Sequence, residues 1–174
     1  MPELIEPTVD LRDSWMESTA EWGDVHQDGA GLWEADDLST VEGFAAWTQR
    51  LRAQSDDSIP VTPERVPASY WWIVEDSTYL GAITLRHALN EKLLEGGGHI
   101  GYGVRPSARG RGLATWALGA ALDRARERGM DRVLITCDDD NVASARTIER
   151  NGGVLEDVRE TWLGRTRRHW ITLE

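Results

Sequence analysis

The sequence predicts an α/β (more strictly α+β) domain in which helices pack on a central β-sheet. Three stretches carry that prediction. Residues 70–74 and 79–85 are aromatic and β-branched runs on either side of the polar turn 75–78, the pattern of a hairpin. Leu113, Ala117, Ala121 and Ala125 recur four apart beside Leu118 and Leu122, which reads as one long helix over about 111–128 stopped by Gly129. Residues 133–137 form a short, continuous apolar run, as expected of a central strand buried on both faces. At 174 residues the chain is long enough for one domain with a sizeable core.

The remaining elements follow in chain order. A short strand is expected around residues 4–7 and a helix over 11–22, with Leu11, Trp15 and Met16 on one face. Residues 23–38 are polar, acidic and glycine-containing, and read as a loop. Ser39 and Glu42 have capping-box spacing for a second helix, along which Phe44, Trp47 and Leu51 recur. Pro60, Pro63 and Pro67 make residues 54–67 a loop. A short helix over 89–94 should end at Gly96-Gly97-Gly98, followed by a strand at 99–104. After the buried strand, a helix over 142–150 stops at Asn151-Gly152-Gly153, and strands near 154–162 and 169–173 close the chain. Most of the nine tryptophans should be core; Trp22 and Trp33 flank the acidic loop and are candidates to line an acceptor pocket.

Charge narrows the function. The net charge is −11, yet residues 61–174 are neutral, and the excess lies in residues 1–60, where 14 acids face only Arg12, Arg50 and Arg52. That balance argues against a nucleic-acid binder, which needs a basic face, and against a protein held at anionic membranes. The first residues lack the basic and apolar regions of a secretory signal, and no apolar run reaches the ~18 residues of a membrane span. Cys137 is the single cysteine, and the four histidines are scattered without ligand spacing, so neither a disulfide framework nor a metal centre is expected. The expectation is a cytoplasmic, metal-independent protein.

Chemistry concentrates between a strand and the long helix, in Arg105-Pro106-Ser107-Ala108-Arg109-Gly110-Arg111-Gly112-Leu113-Ala114. The glycines allow close backbone approach, and the helix that follows opens with N–H groups lacking intrahelical partners. Together they suit an anion such as a pyrophosphate. Residues 105–132 hold seven arginines against Asp123, Glu127 and Asp131, a basic island in an acidic chain. A Walker A loop is excluded because no lysine follows the glycines, and a dinucleotide fingerprint fails because Thr115 stands at its third glycine.

Arg109-x-x-Gly112-x-Ala114 after a strand resembles the [RQ]-x-x-G-x-[GA] signature of the GNAT superfamily, the acyl-CoA-dependent N-acyltransferases. Asn141-Val142-Ala143-Ser144 after the buried strand resembles that family's N-x-x-S motif, and the order of elements agrees. Gly98-His99-Ile100-Gly101-Tyr102 and Ile148-Glu149-x-Asn151-Gly152-Gly153 look like one bacterial branch of it. The resemblance covers essentially the whole chain. It implies a mixed, mostly antiparallel sheet splayed between its fourth and fifth strands. Residues 1–60 would supply acceptor-side helices and loops, 70–153 the acetyl-CoA-binding core, and 154–174 the closing strands. Acetyl-CoA would be the cosubstrate, its pantetheine pairing with Tyr102, Gly103 and Val104. Its pyrophosphate would lie on the N–H groups of Arg109, Gly110, Arg111, Gly112, Leu113 and Ala114, with Asn141 and Ser144 close by. The acceptor would be a small-molecule or peptide primary amine attacking directly in a ternary complex, and closing strands in this fold can pair between subunits as a homodimer.

Direct attack needs a neutral amine; for a lysine-like amine, deprotonation at pH 7 costs about 4–5 kcal/mol. The family often places a tyrosine seven residues beyond the motif asparagine as the acid; here that residue is Ile148. Candidate catalytic groups are His99 and His87 as bases, Asp138 and Asp139 beside the gap, and Tyr102 as donor to the thiolate. Cys137 offers an acyl-enzyme route. Glu34, Asp36 and Asp37 would favour a cationic acceptor. Two alternatives stay open: a non-catalytic acyl-CoA-binding regulator, suggested by the missing tyrosine, and a general nucleotide-binding domain.

Overall fold

Seven strands form two sheets that part between the fourth strand and the fifth, as the resemblance implies. The computed structural model describes residues 1–174. The first sheet is antiparallel throughout and runs β1 (Glu3–Ile5), β2 (Ala68–Glu75), β3 (Thr78–Arg86), β4 (Ile100–Val104) in that order. The second contains β5 (Arg132–Asp138), β6 (Val154–Thr161) and β7 (Gly164–Thr172), with β7 in the middle. Helices α1 (Arg12–Trp22) and α2 (Val41–Ala53) precede the hairpin, and α3 (Glu91–Glu95) precedes β4. Helix α4 (Leu113–Glu127) links the sheets, and α5 (Val142–Arg150) follows β5.

Alternation along the strands divides the core in two. Ile73, Ile83, Leu85 and Ile100 pack with Leu113, Ala117, Leu118 and Ala121 of α4 and with Val133 and Ile135 of β5. Trp72, Val74, Tyr79 and Ala82, on the other face, meet Trp15, Phe44, Trp47 and Leu51 of α1 and α2. There the rings meet edge to face, Trp15 and Trp47 with centroids 5.0 Å apart, Trp72 and Tyr79 5.2 Å apart. Gly112 and Asn141 cap the two helices, α4 and α5, that flank the first core.

Several expectations shift. The cap of α2 is Thr40, whose hydroxyl accepts from Gly43 N–H at 3.0 Å, while Ser39 bonds Asp37 instead. Thr40→Ala should therefore cost about 1 kcal/mol in urea unfolding, and Ser39→Ala only a few tenths. The β2–β3 turn puts Asp76 and Ser77 at φ 50° and 62°, a left-handed pair built without glycine or asparagine. Strand β7 starts at Gly164, five residues before the expected 169, because its charged stretch is paired rather than solvated. Arg165 and Arg167 hold Asp139, and the buried Arg168 bonds Glu156 and Asp157. No helix is long and apolar enough to cross a membrane.

Candidate active site

The two sheets touch at one point. The peptide N–H of His99 donates to Leu134 O at 2.7 Å, and Leu134 N–H donates back to His99 Nδ1 at 2.8 Å. Beside them Gly98 bridges Ile135, and Gly97 N–H donates to Thr136 Oγ1. Beyond this hinge β4 has no strand partner toward β5. Arg86 N–H bonds His99 O, and Arg105 N–H bonds Leu80 O, so the odd-numbered residues of β4 face β3. By the alternation of an antiparallel ladder, the N–H and C=O groups of Tyr102 and Val104 point into the gap. An extended amide chain could pair with that edge like an added strand.

Past Val104 the chain turns through a 3₁₀ segment, Pro106–Ala108, into the glycine loop. Gly110 and Gly112 take φ of +80° and +76°, and a Cβ on either would meet nothing, so backbone conformation rather than crowding demands glycine. Gly112 caps α4 without a side-chain bond, and the first N–H its carbonyl receives is that of Trp116. The peptide N–H groups from Gly110 to Thr115 have no acceptor within the chain, a row of donors at the positive end of a helix. Arg109 N–H is engaged by Pro106 O, but its Nε bonds Val104 O and its guanidinium lies 4.9 Å over the Trp22 ring.

Across the gap, Asn141 caps α5 by accepting from Ser144 N–H at 3.1 Å, which leaves its amide NH₂ unused. Ser144 Oγ lies 2.7 Å from the Tyr102 hydroxyl, tying β4 to the start of α5. Burial, chiefly, pushes the Tyr102 pKa up to about 12 and the neighbouring Cys137 thiol up to about 11. Both stay protonated at neutral pH, so the tyrosine is a hydrogen-bond donor and the thiol a poor nucleophile. Beyond Cys137, Asp138, Asp139, Asp140, Leu163 and Arg165 line a cavity of about 330 Å³.

Residues 26–154 match the family model described as an acetyltransferase (GNAT) domain. The chain belongs to the GNAT acetyltransferase family. Solved structures agree in fold over nearly its whole length. A Salmonella typhimurium acetyltransferase that modifies the N-terminal serine of a 50S ribosomal subunit protein is 17% identical with a TM-score of 0.69, covering 99% of this chain and 95% of its own. RimJ of Mycobacterium smegmatis, in complex with CoA-disulfide, is 18% identical with a TM-score of 0.72, covering 98% and 81%. The microcin C7 self-immunity acetyltransferase MccE, in complex with acetyl-CoA and AMP, is 15% identical with a TM-score of 0.71, covering 98% and 92%. No curated protein sequence matches significantly.

Two expected bases of this GNAT acetyltransferase are displaced. His99 is the hinge itself: its Nδ1 lone pair already accepts from Leu134, and burial, with Arg86 and Arg132 nearby, lowers its pKa to about 4. It sits at the closed end of the gap with no free lone pair for an amine proton. Protonation would break the hinge bond. Because the folded pKa lies below the unfolded value of about 6.5, this contribution is complete above pH 6.5 and fades as pH falls toward 4. His99→Asn, whose Oδ1 can still accept from Leu134, should lose about 3 kcal/mol less than the parent over that window in urea melts.

His87 lies elsewhere. Its Nε2 contacts Ser69 Oγ at 2.8 Å and its Nδ1 contacts Asp57 at 2.7 Å, beside Arg128 at the C-terminal cap of α4. The pyrophosphate loop is at the other end of that helix, roughly 22 Å away at 1.5 Å per residue. His87 ties a surface loop to the helix and is removed from the catalytic set.

The acidic loop and the basic island also change meaning. Asp36 accepts from Trp33 N–H and from Arg50, and Asp37 accepts from Ser39, so both build turns rather than await a cation. Trp33 stacks on Arg50 at 3.6 Å, whereas Trp22 packs against Gly103 of β4. Arg105 and Arg111 pair with Glu21 and Glu75, and Arg124, Arg126 and Arg128 lie paired toward the far end of α4. Arg109 is the loop arginine without a carboxylate partner within 4.0 Å. Ile148 is fully buried in the core, so the position seven residues beyond Asn141 offers no acid to the gap. The Tyr102–Ser144 bond needed three-dimensional information, because 42 residues separate its partners.

Proposed function

We propose that this protein transfers acetyl from acetyl-CoA to a primary amine by direct attack in a ternary complex. The observation that supports it most is the unpaired edge of β4, open beyond the His99 hinge and leading into a loop of unpartnered N–H groups. Tyr102 and Val104 would pair with the pantetheine amides, with Gly103 between them. The N–H groups from Gly110 to Thr115 would hold the pyrophosphate, with Arg109 above. Asn141, through its free NH₂, and Ser144 would complete the cofactor side. The Tyr102 hydroxyl would donate a hydrogen bond to the sulfur as its charge develops. Complete proton transfer from a phenol near 12 to a thiolate near 8.5 would cost about 5 kcal/mol, so hydrogen bonding is the role that fits.

The acceptor is a protein N-terminal amine in this reading. An α-amine with pKa about 7.7–8.0 needs only about 1 kcal/mol to become neutral at pH 7, against 4–5 kcal/mol for lysine. A gap from which both histidines have been removed suits the easier substrate. The Salmonella typhimurium structure belongs to an enzyme acting on an N-terminal serine, which is consistent. The buried Ile148 keeps a second reading alive, a non-catalytic acyl-CoA-binding regulator. Calorimetric titration with CoA and thiol release over a panel of N-terminal peptides, polyamines and lysine separate them. Transfer to peptides ahead of lysine is expected; tight CoA binding with no turnover on any amine would favour the regulator.

A further inference from the structure

The segment between α1 and α2 straps across β4 on the face opposite α4. A Cβ at Gly29 would lie 2.6 Å from Gly101 O and 2.9 Å from Tyr102 Cα, and one at Gly103 would lie 2.9 Å from Asp28 O. Backbone therefore rides on backbone, which only glycine at these places permits. Thr84 Oγ1 donates to Gly29 O at 2.6 Å, and Gln27 Nε2 donates to Thr19 Oγ1 at 2.6 Å, pinning the strap on both sides of Asp28. Asp28 is thus fixed beside the free part of β4, its side chain still accessible to solvent. His26 Nε2 stands 3.3 Å from its Oδ1. Arg86 of β3, Tyr102 of β4 and Asp138 of β5 are the other titratable groups within its electrostatic reach.

Three other carboxylates are occupied, while Asp138 at the end of β5 is a second unpaired acid. Asp139 is held by Arg165 and Arg167, Glu21 by Arg105 and Ser107, and Asp36 by Arg50. Asp28 lies on the strap face of β4 and Tyr102 on the other, since the Tyr102 side chain packs with the α4-side core. Sulfur and incoming amine need such opposed groups.

We propose that Asp28 is the catalytic proton acceptor for the attacking amine. This rests on the acetyltransferase reading above. The amine lone pair forms the new C–N bond to the acetyl carbon, and the nitrogen's proton passes to the Asp28 carboxylate. The C–S bond breaks, and its electron pair leaves on sulfur with Tyr102 donating a hydrogen bond. Asp28 then returns its proton to solvent, and sulfur is protonated from solvent to give free CoA. Desolvation beside β4 raises the Asp28 pKa, His26 lowers it, Asp138 raises it and Arg86 lowers it, with a net rise. A base is active when ionised, so kcat should climb through an acidic limb above the ordinary carboxylate range.

The test uses acetyl-CoA with a peptide bearing an N-terminal serine, read by thiol release from pH 4.5 to 9, alongside CoA calorimetry. Asp28→Asn should lower kcat by about a hundredfold and erase the acidic limb with CoA affinity unchanged, while Asp28→Glu restores most of the rate. An Asn variant within about threefold of the parent, with the same pH profile, overturns the assignment. So does loss of CoA binding in that variant, which would make the effect structural. Failure of the parent to acetylate the serine peptide or any amine of the panel, while binding CoA, overturns the transferase reading and this inference with it.

Discussion

Gly112→Val lowers CoA affinity about a hundredfold, whereas Gly129→Val leaves it unchanged. Both glycines bracket α4, at φ +76° and +78°, and in both places a Cβ would meet nothing within 4 Å. Valine in the left-handed region costs on the order of 1–2 kcal/mol, more for a β-branched side chain, so both variants should be similarly destabilised. The difference lies in what the backbone does there. Relaxing Gly112 out of the left-handed region turns aside the N–H groups of Gly112 and Leu113, which have no acceptor in the chain. Hydrogen bonds to a charged group contribute about 1.5–3 kcal/mol each, and losing one or two of them gives the hundredfold loss in calorimetry. At Gly129 the same relaxation only frays the end of a helix. Equal affinity losses at both would mean that the loop binds nothing.

Tyr102→Phe lowers kcat by about ten- to a hundredfold while changing KM for acetyl-CoA little. The phenylalanine keeps the ring that packs with the α4-side core and removes only the hydroxyl held by Ser144 Oγ at 2.7 Å. Since burial keeps that hydroxyl protonated, its contribution is a donor poised for charge that appears only as the C–S bond breaks. Such a donor acts on kcat rather than on ground-state binding. Ser144→Ala should show a smaller effect of the same kind, because the ring stays in place while its hydroxyl is less well aimed. A Tyr102→Phe enzyme with parental kcat would leave the thiolate departing without assistance from this residue.

Local signals were enough for the elements and for the glycine loop that opens α4. The hairpin, the spacing of Leu113 to Ala125 and the turn before α4 follow from periodicity and glycine chemistry that neighbouring residues determine. So does the Asn141 cap. The parting of the sheets between β4 and β5 came with the family resemblance, whereas their contact at His99 and the long β7 were not legible in the same way. His99 read as a base because histidine titrates near neutrality; only its partner 35 residues away shows the lone pair committed. The arginines of β7 concealed a strand because their carboxylate partners lie on β6 or in the loop after β5. The acceptor side was hardest. Glu34, Asp36 and Asp37 stood out by density of charge, yet two of them serve local turns. Asp28 is placed by glycine contacts with a strand more than 70 residues further along the chain, and no local pattern announces it.

The free edge of β4 is the claim on which the rest depends, and backbone amide exchange tests it residue by residue. With saturating acetyl-CoA, the N–H groups of Tyr102 and Val104 should become strongly protected, while those of Gly101 and Gly103, already turned toward β3, should change little. The N–H groups from Gly110 to Thr115 should gain protection in the same experiment. Saturation that leaves Tyr102 and Val104 exchanging as in the free protein would contradict the account, placing the cofactor somewhere other than the gap between β4 and β5.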